Sequence, residues 1–400
     1  MNLPILLLGL GLMQIVTSGT AETYEISSTE ESYATEETGS SETEDIQATQ
    51  GRLLSTYDFG ELNDLFRQNW QEDMNFEELV QGLMQGDVTG DGRDWKSYLY
   101  QIFLSELNEN RGILIRLFLL AVVTAIFTNL GGTVGKGLIS ENGFYITYLM
   151  MTALLMSSFT LIYQVADQAI DDILTIMEAL IPTYMMAVSV SSGITSSLVL
   201  QEGMVMGITA VSWGIRKVAL PVIQLYVTLN LVNNLTEEDY FSKFGELLQT
   251  GVKWLMKSVL ALVVGMNTVK SLLAPAADSV TATALQRGLG AIPGGQAVNA
   301  VSGVVIGSGI LIKNAIGVGG MLLLVAAVSV PVLKMTVFIL CYRFMAAILQ
   351  PISDKRMVNG IQGISEGGQL LVTAVLTVIV LFLLMIAIVA VSTNVSYYAG

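Results

Sequence analysis

The stretch QLLVTAVLTVIVLFLLMIAIVAVST, residues 369–393, decides the fold: twenty-five residues without a charge. At 1.5 Å per residue it makes a helix that crosses the roughly 30 Å hydrocarbon core of a bilayer. In lipid, only a helix or a closed barrel leaves no backbone polar group unpaired. Working outward, further apolar segments lie near 113–132, 144–166, 183–200, 204–234, 254–273, 298–312 and 316–349. Those at 113–132, 144–166 and 254–273 have ordinary spanning length. The segments at 183–200 and 298–312 are short, rich in Gly and Ser, and preceded by Ile-Pro. Such segments read as re-entrant or half-spanning helices, tolerable where protein or a watery cavity surrounds them. The expectation is an all-α polytopic membrane protein with six to eight transmembrane or re-entrant helices and a small extracytoplasmic helical head.

Composition agrees. Of 400 residues, 52% are hydrophobic and only 13% charged, against about a quarter in soluble domains. The net charge of −15 is confined to the front of the chain. Residues 22–50 carry nine acids and no base, residues 51–111 twelve acids and five bases, and residues 112–400 thirteen acids and fourteen bases. With no histidine, a Ser-His-Asp triad and a His-based zinc or haem site are excluded. The single cysteine, Cys341, excludes an internal disulfide and a Cys cluster, and inside an apolar segment it reads as packing. No basic cluster suggests nucleic-acid binding. The reading is therefore non-enzymatic, without cofactor or metal, with lipid as the surrounding partner.

At the N-terminus, residues 3–16 form an apolar run too short to span, followed by a polar stretch with Gly19 and Ala21 at the spacing a signal peptidase requires. Residues 1–21 are read as a signal peptide. Residues 22–50 are an acidic Glu/Ser/Thr spacer, expected to be disordered because nothing in it can bury enough apolar area. Residues 51–111 regain amphipathic pattern: Phe59, Leu62, Leu65 and Phe66 fall at helical spacing, as do Leu79, Val80, Leu83 and Met84. Asp87-Val88-Thr89-Gly90-Asp91-Gly92 opens like a calcium loop, but Tyr98 stands where the closing bidentate acid belongs, so a plain turn is expected.

The membrane domain, 112–400, shows a repeat. Ile181-Pro182 is followed 39 residues later by Pro221, and Ile292-Pro293 is followed 38 later by Pro331. Each first proline opens a short small-residue helix, and each second should kink a long apolar run. The halves are about 178–273 and 289–393. Gly203-x-x-x-Gly207 and Gly303-x-x-x-Gly307 allow close helix approach, within the chain or between copies in a homo-oligomer. Charges at membrane depth default to functional candidates. Lys313 and Lys334 flank the Gly-rich second half and could line a cavity or pair with Asp278. The candidates for pore lining or helix packing are thus Pro182, Pro221, Asp278, Pro293, Gly303, Gly307, Lys313, Pro331 and Lys334. Asp167, Asp171, Asp172 and Glu178 are expected outside the membrane. Lys243, Lys253, Lys257, Lys355 and Arg356 pick no side consistently.

Residues 167–393 resemble the stage III sporulation protein AE family of endospore-forming bacteria. The resemblance rests on the leader and amphipathic head, Asp278-Ser279-Val280 leading to Ile292-Pro293-Gly294-Gly295, Leu311-Ile312-Lys313-Asn314-Ala315-Ile316-Gly317, Pro331, and Gln350-Pro351-Ile352-Ser353-Asp354-Lys355-Arg356. The long acidic spacer and the Gly-Gly after Ile-Pro depart from the family's pattern. The resemblance implies a subunit of a secretion-like channel complex in the mother-cell membrane around the forespore, on which late forespore gene expression depends. It also implies other stage III sporulation membrane subunits as partners, including ring-forming proteins, and a cytoplasmic secretion-type ATPase. It implies no catalytic residues. Broken helices in a repeat would equally suit a stand-alone secondary transporter or export permease.

Overall fold

Helices that are apolar on every face can bury those faces only among other helices or in lipid. The structure, a computed structural model, describes residues 49–69, 75–86, 138–235, 240–290 and 295–395 and scattered positions between 104 and 126, without the side chains of 138–142, 274–304 and 394–395. The leader, most of the acidic spacer, the Asp87–Gly92 turn and Pro293 lie outside the described residues.

Two short helices form the head, α1 (Gly60–Asn69) and α2 (Phe76–Gln85). The Gly60 N–H donates to the Asp58 carboxylate at 2.9 Å as α1 begins, the Asn75 N–H donates to Glu78 at 3.2 Å as α2 begins, and Gly86 ends α2 at φ 74°. Phe59 and Phe66 pack on Phe76, with ring centroids 6.0 and 6.1 Å apart. Tyr57 is buried beside Phe59, and that burial pushes its hydroxyl above the usual tyrosine pKa.

The body comprises α3 (Leu138–Ser192), α4 (Ile194–Ala210), a π-helical segment (Val211–Ala219), α5 (Leu220–Asn233), α6 (Ser242–Gly290), α7 (Gly295–Leu349) and α8 (Lys355–Val395). Among the described residues, five stretches are long and apolar enough to cross a membrane: Gly143–Ser192, Ile194–Asn233, Ser242–Leu273, Val305–Leu349 and Lys355–Thr393. Fewer, longer helices thus carry most of the apolar segments. The first of those stretches holds 50 residues, about 75 Å of helix and well beyond one hydrocarbon core.

Pro182 does not open a new helix, contrary to the sequence reading. It lies inside α3, which fuses 144–166 with the start of 183–200. Pro331 likewise lies inside an unbroken α7 that joins 298–312 to 316–349. A proline removes one backbone hydrogen bond and crowds the carbonyl four residues back, but packing on neighbouring turns can hold the helix together. Here Leu180 and Tyr184 sit against Gly320 and Gly317 of α7, so closely that a Cβ at Gly320 would collide with Leu180. The break falls instead at Gly193, whose φ of 105° suits only glycine and separates α3 from α4. Pro221 behaves differently. It is the second residue of α5, directly after the π-helical segment, where the Leu220 N–H reaches the Ile215 carbonyl, five residues back.

Helix directions follow from the contacts. Gly203 meets Asn267, Gly214 meets Val259 and Gly245 meets Tyr226, so α4–α5 and α6 are antiparallel. Lys313 bonds Thr393 while Ser365 bonds the Ile339 carbonyl, so α7 and α8 are antiparallel. Tyr148 lies by Gly360 and Tyr184 bonds the Ile386 carbonyl, so α3 and α8 run parallel. The charge-free stretch 369–393 is therefore the centre of the bundle, touching α3, α6 and α7 extensively. Two consecutive hairpins, α4–α6 and α7–α8, turn at one end, after Asn233 and after Leu349. This turn end also holds the start of α3, where the Arg356 guanidinium lies 3.7 Å over the Phe144 ring. Pro221 and Pro331, the pair expected to correspond, differ in local conformation: Pro221 follows a π-helical segment and Pro331 lies within continuous α-helix.

The head docks toward the opposite end. Thr183 of α3 donates to the Asp58 carbonyl at 3.0 Å, and Phe76 presses on Gly319 of α7, 3.2 Å from where a Cβ would stand.

Candidate functional site

Four helices converge at the head end around one cation. Lys313 of α7 is fully buried, and its ammonium donates to Thr393 Oγ1 of α8 at 2.6 Å. That hydroxyl in turn donates to the Val389 carbonyl at 2.6 Å, so it can accept from the lysine without competing for its own proton. Ser192, the last residue of α3, donates to the Thr393 carbonyl at 3.2 Å, and Ser191 Oγ lies 3.3 Å from Ser192 Oγ. Ser197, one turn into α4, donates back to the Met185 carbonyl at 2.7 Å. Close approach here depends on Gly309, where a Cβ would lie 3.0 Å from Val190. An ammonium inside apolar packing is costly unless hydrogen-bonded. The arrangement is a buried lysine seated on the Thr393 hydroxyl, with Ser192 tying α3 to the same turn of α8, and it is suited to holding α3, α7 and α8 in register.

The other predicted residues do not share this site. Lys334 is half-buried on α7, twenty-one residues and about 31 Å along the helix from Lys313. Gly307 sits two turns before Lys313 with nothing within 4 Å of its Cβ position. Gly303 and Asp278 lie in helical backbone whose side chains are outside the described residues, so the suggested Lys313–Asp278 pairing lies there too. Pro182, Pro221 and Pro331 occupy α3, α5 and α7 separately.

The first small-residue pair serves packing within the chain. Gly203 faces Asn267 of α6, and a Cβ at Gly207 would lie 2.7 Å from Met385 of α8 and 3.3 Å from Val263 of α6. Beside it Lys270 pairs with Glu202 at 3.1 Å.

A second polar centre was not assembled by sequence reasoning. Arg216, in the π-helical segment, grips Asp167 of α3 with two bonds, Nε at 2.8 Å and Nη2 at 3.2 Å, and also contacts Asp171. The acids stand four residues apart, one turn along α3 on the same face. That spacing was visible in the sequence, but their partner lies 45–49 residues away. Among the described residues, no group of three or more Cys, Asp or Glu could hold a metal ion.

Residues 74–393 match the family described as stage III sporulation protein AE (spore_III_AE). The curated Stage III sporulation protein AE of Bacillus subtilis (strain 168) is 23% identical over 314 residues, covering 78% of this chain and 79% of that protein. No solved structure matches the chain. With four-fifths of its length matched, the chain belongs to the stage III sporulation protein AE family.

Proposed function

We propose that this chain is a non-enzymatic membrane subunit of a secretion-like channel complex joining mother cell and forespore, required for late forespore gene expression. Family membership supports the sporulation role. The observation that carries the subunit reading is the polarity of the bundle. Lys243, Lys253, Lys257, Arg343, Lys355 and Arg356 all belong to its turn-end half, and five of the six are exposed. The folded head lies toward the other end. Basic residues flanking spans favour the cytoplasm, so the turn end faces the mother-cell cytoplasm and the head faces the intermembrane space. Such a subunit can meet a cytoplasmic secretion-type ATPase with one end and ring-forming proteins with the other. The body is multi-pass in the mother-cell membrane.

Deleting the gene in its sporulating host should let engulfment finish and then arrest late forespore gene expression; normal spores would refute the reading. Orientation is tested in a Cys341→Ser background with Gly51→Cys in the head and Asn359→Cys at the turn end. An impermeant thiol reagent added outside should label only the first. The rival reading, a stand-alone export permease, draws on the two consecutive hairpins and the π-helical break before Pro221. It requires transport by the purified chain in vesicles, without the other sporulation subunits.

A further inference from the structure

At the turn end, α5, α6 and α8 enclose a polar cleft of about 310 Å³. Its walls include the amides of Asn230, Asn234, Gln249, Asn359 and Gln362 and the carboxylate of Glu366. The cleft is near the small end of the range for ligand pockets, enough for one compact polar group.

Glu366 is its fixed point. One carboxylate oxygen accepts from the Tyr226 hydroxyl at 2.8 Å and the other from the Gln362 amide at 3.3 Å. Both donors are neutral, and among the described residues no Lys or Arg lies within ion-pair distance of Glu366. The second wall carboxylate, Glu246, already has a partner in Lys243 at 3.0 Å. A Cβ at Gly363 would collide with Asn230, whose amide stands over that glycine, so Gly363 lets α5 and α8 approach closely beside the cleft. A cleft with one unneutralised carboxylate and several amide oxygens offers acceptors and negative charge, so it repels anions and gives apolar groups little.

We propose that this cleft binds a primary ammonium or guanidinium group, with Glu366 as counter-ion and the side-chain amides of the cleft wall completing its hydrogen bonds. The cation is either a free polyamine or the basic side chain of a partner segment. The inference stands apart from the channel reading, because it rests only on the lining of the cleft.

The test uses the full chain in lipid nanodiscs and isothermal titration. The probes are spermidine, agmatine and the peptide acetyl-Gly-Lys-Gly-amide, with tetramethylammonium as a cation that lacks N–H donors. Saturable binding of at least one N–H donor probe is expected, with tetramethylammonium at least tenfold weaker. Binding of the amines alone identifies a small cation, and binding of the peptide alone identifies a protein side chain. Glu366→Gln still accepts from Tyr226 yet removes the charge, so affinity should fall about tenfold or more. Asn359→Ala, at an exposed position, should weaken binding several-fold with an unchanged melting temperature. Absence of binding by all three donor probes overturns the proposal. So does equal binding of tetramethylammonium, or unchanged affinity in both variants.

Discussion

Lys313 Nζ donates to Thr393 Oγ1 at 2.6 Å, pinning α7 to the last turns of α8 where both residues are buried. A buried cation tolerates the loss of its charge better than the loss of an acceptor. Thr393→Val should therefore lower thermal stability by an amount corresponding to about 1–3 kcal/mol. Lys313→Met, of similar length, should keep or raise the melting temperature in detergent. If the positive charge also serves the complex, spore counts fall in the Lys313→Met strain while protein level and stability hold. Unchanged spore counts would make Lys313 a packing residue only.

Gly367 and Gly307 should respond oppositely to the same change. A Cβ at Gly367 would collide with Val227 and lie 2.9 Å from the Phe159 ring, neither of which has a flexible end to withdraw. Gly367→Ala should cost about 1–3 kcal/mol through overpacking. Gly307→Ala meets nothing and sits in helix, so it should be neutral or stabilise by up to about 1 kcal/mol. Parallel melts of the two variants check this.

The Arg216–Asp167–Asp171 cluster is partly accessible, with side-chain exposures of 32%, 35% and 52%. Its worth is correspondingly modest, on the order of 1 kcal/mol for Arg216→Gln. Arg216→Lys should recover only part, because an ammonium cannot reproduce the two-bond grip on Asp167. High salt should shrink the gap between parent and variant, and melts at two ionic strengths measure it.

Phe76 anchors the head against α7 at Gly319 and is completely buried. Phe76→Ala should cost about 3–5 kcal/mol of head packing. Limited proteolysis of the purified protein should then cut within 51–86 faster than in the parent, with the body fragment intact. Equal cleavage rates would show that the head is held by other contacts.

Much of the fold was legible because burial in lipid demands composition rather than pattern. The run 369–393 announced a membrane helix, and the apolar spacing of Leu62, Phe66, Leu79 and Val80 announced the head. Helix ends were less legible. Proline rules are local, whereas the continuity of α3 through Pro182 goes with Tyr184 and Leu180 packing on α7, more than 130 residues away. The same distance problem hid the Arg216 cluster and the amide-lined cleft, whose walls come from α5, α6 and α8. Lys313 was identified in sequence as a costly charge, yet its acceptor, Thr393, lay 80 residues downstream among many hydroxyls.

By itself the sequence determined that the chain is helical and lives in a membrane, that its acidity belongs to the first quarter, and that no histidine chemistry operates. These follow from transfer free energies and residue inventories, which add along a chain regardless of its path. The tertiary structure alone decided where helices stop, which ends share a face, and which polar groups meet. Lys243, Lys253, Lys257, Lys355 and Arg356 showed no consistent side along the sequence, and folding into antiparallel hairpins gathered these five in the turn-end half. Pairing between distant residues depends on helix direction and register, and those are set by packing complementarity at positions such as Gly320 and Gly367.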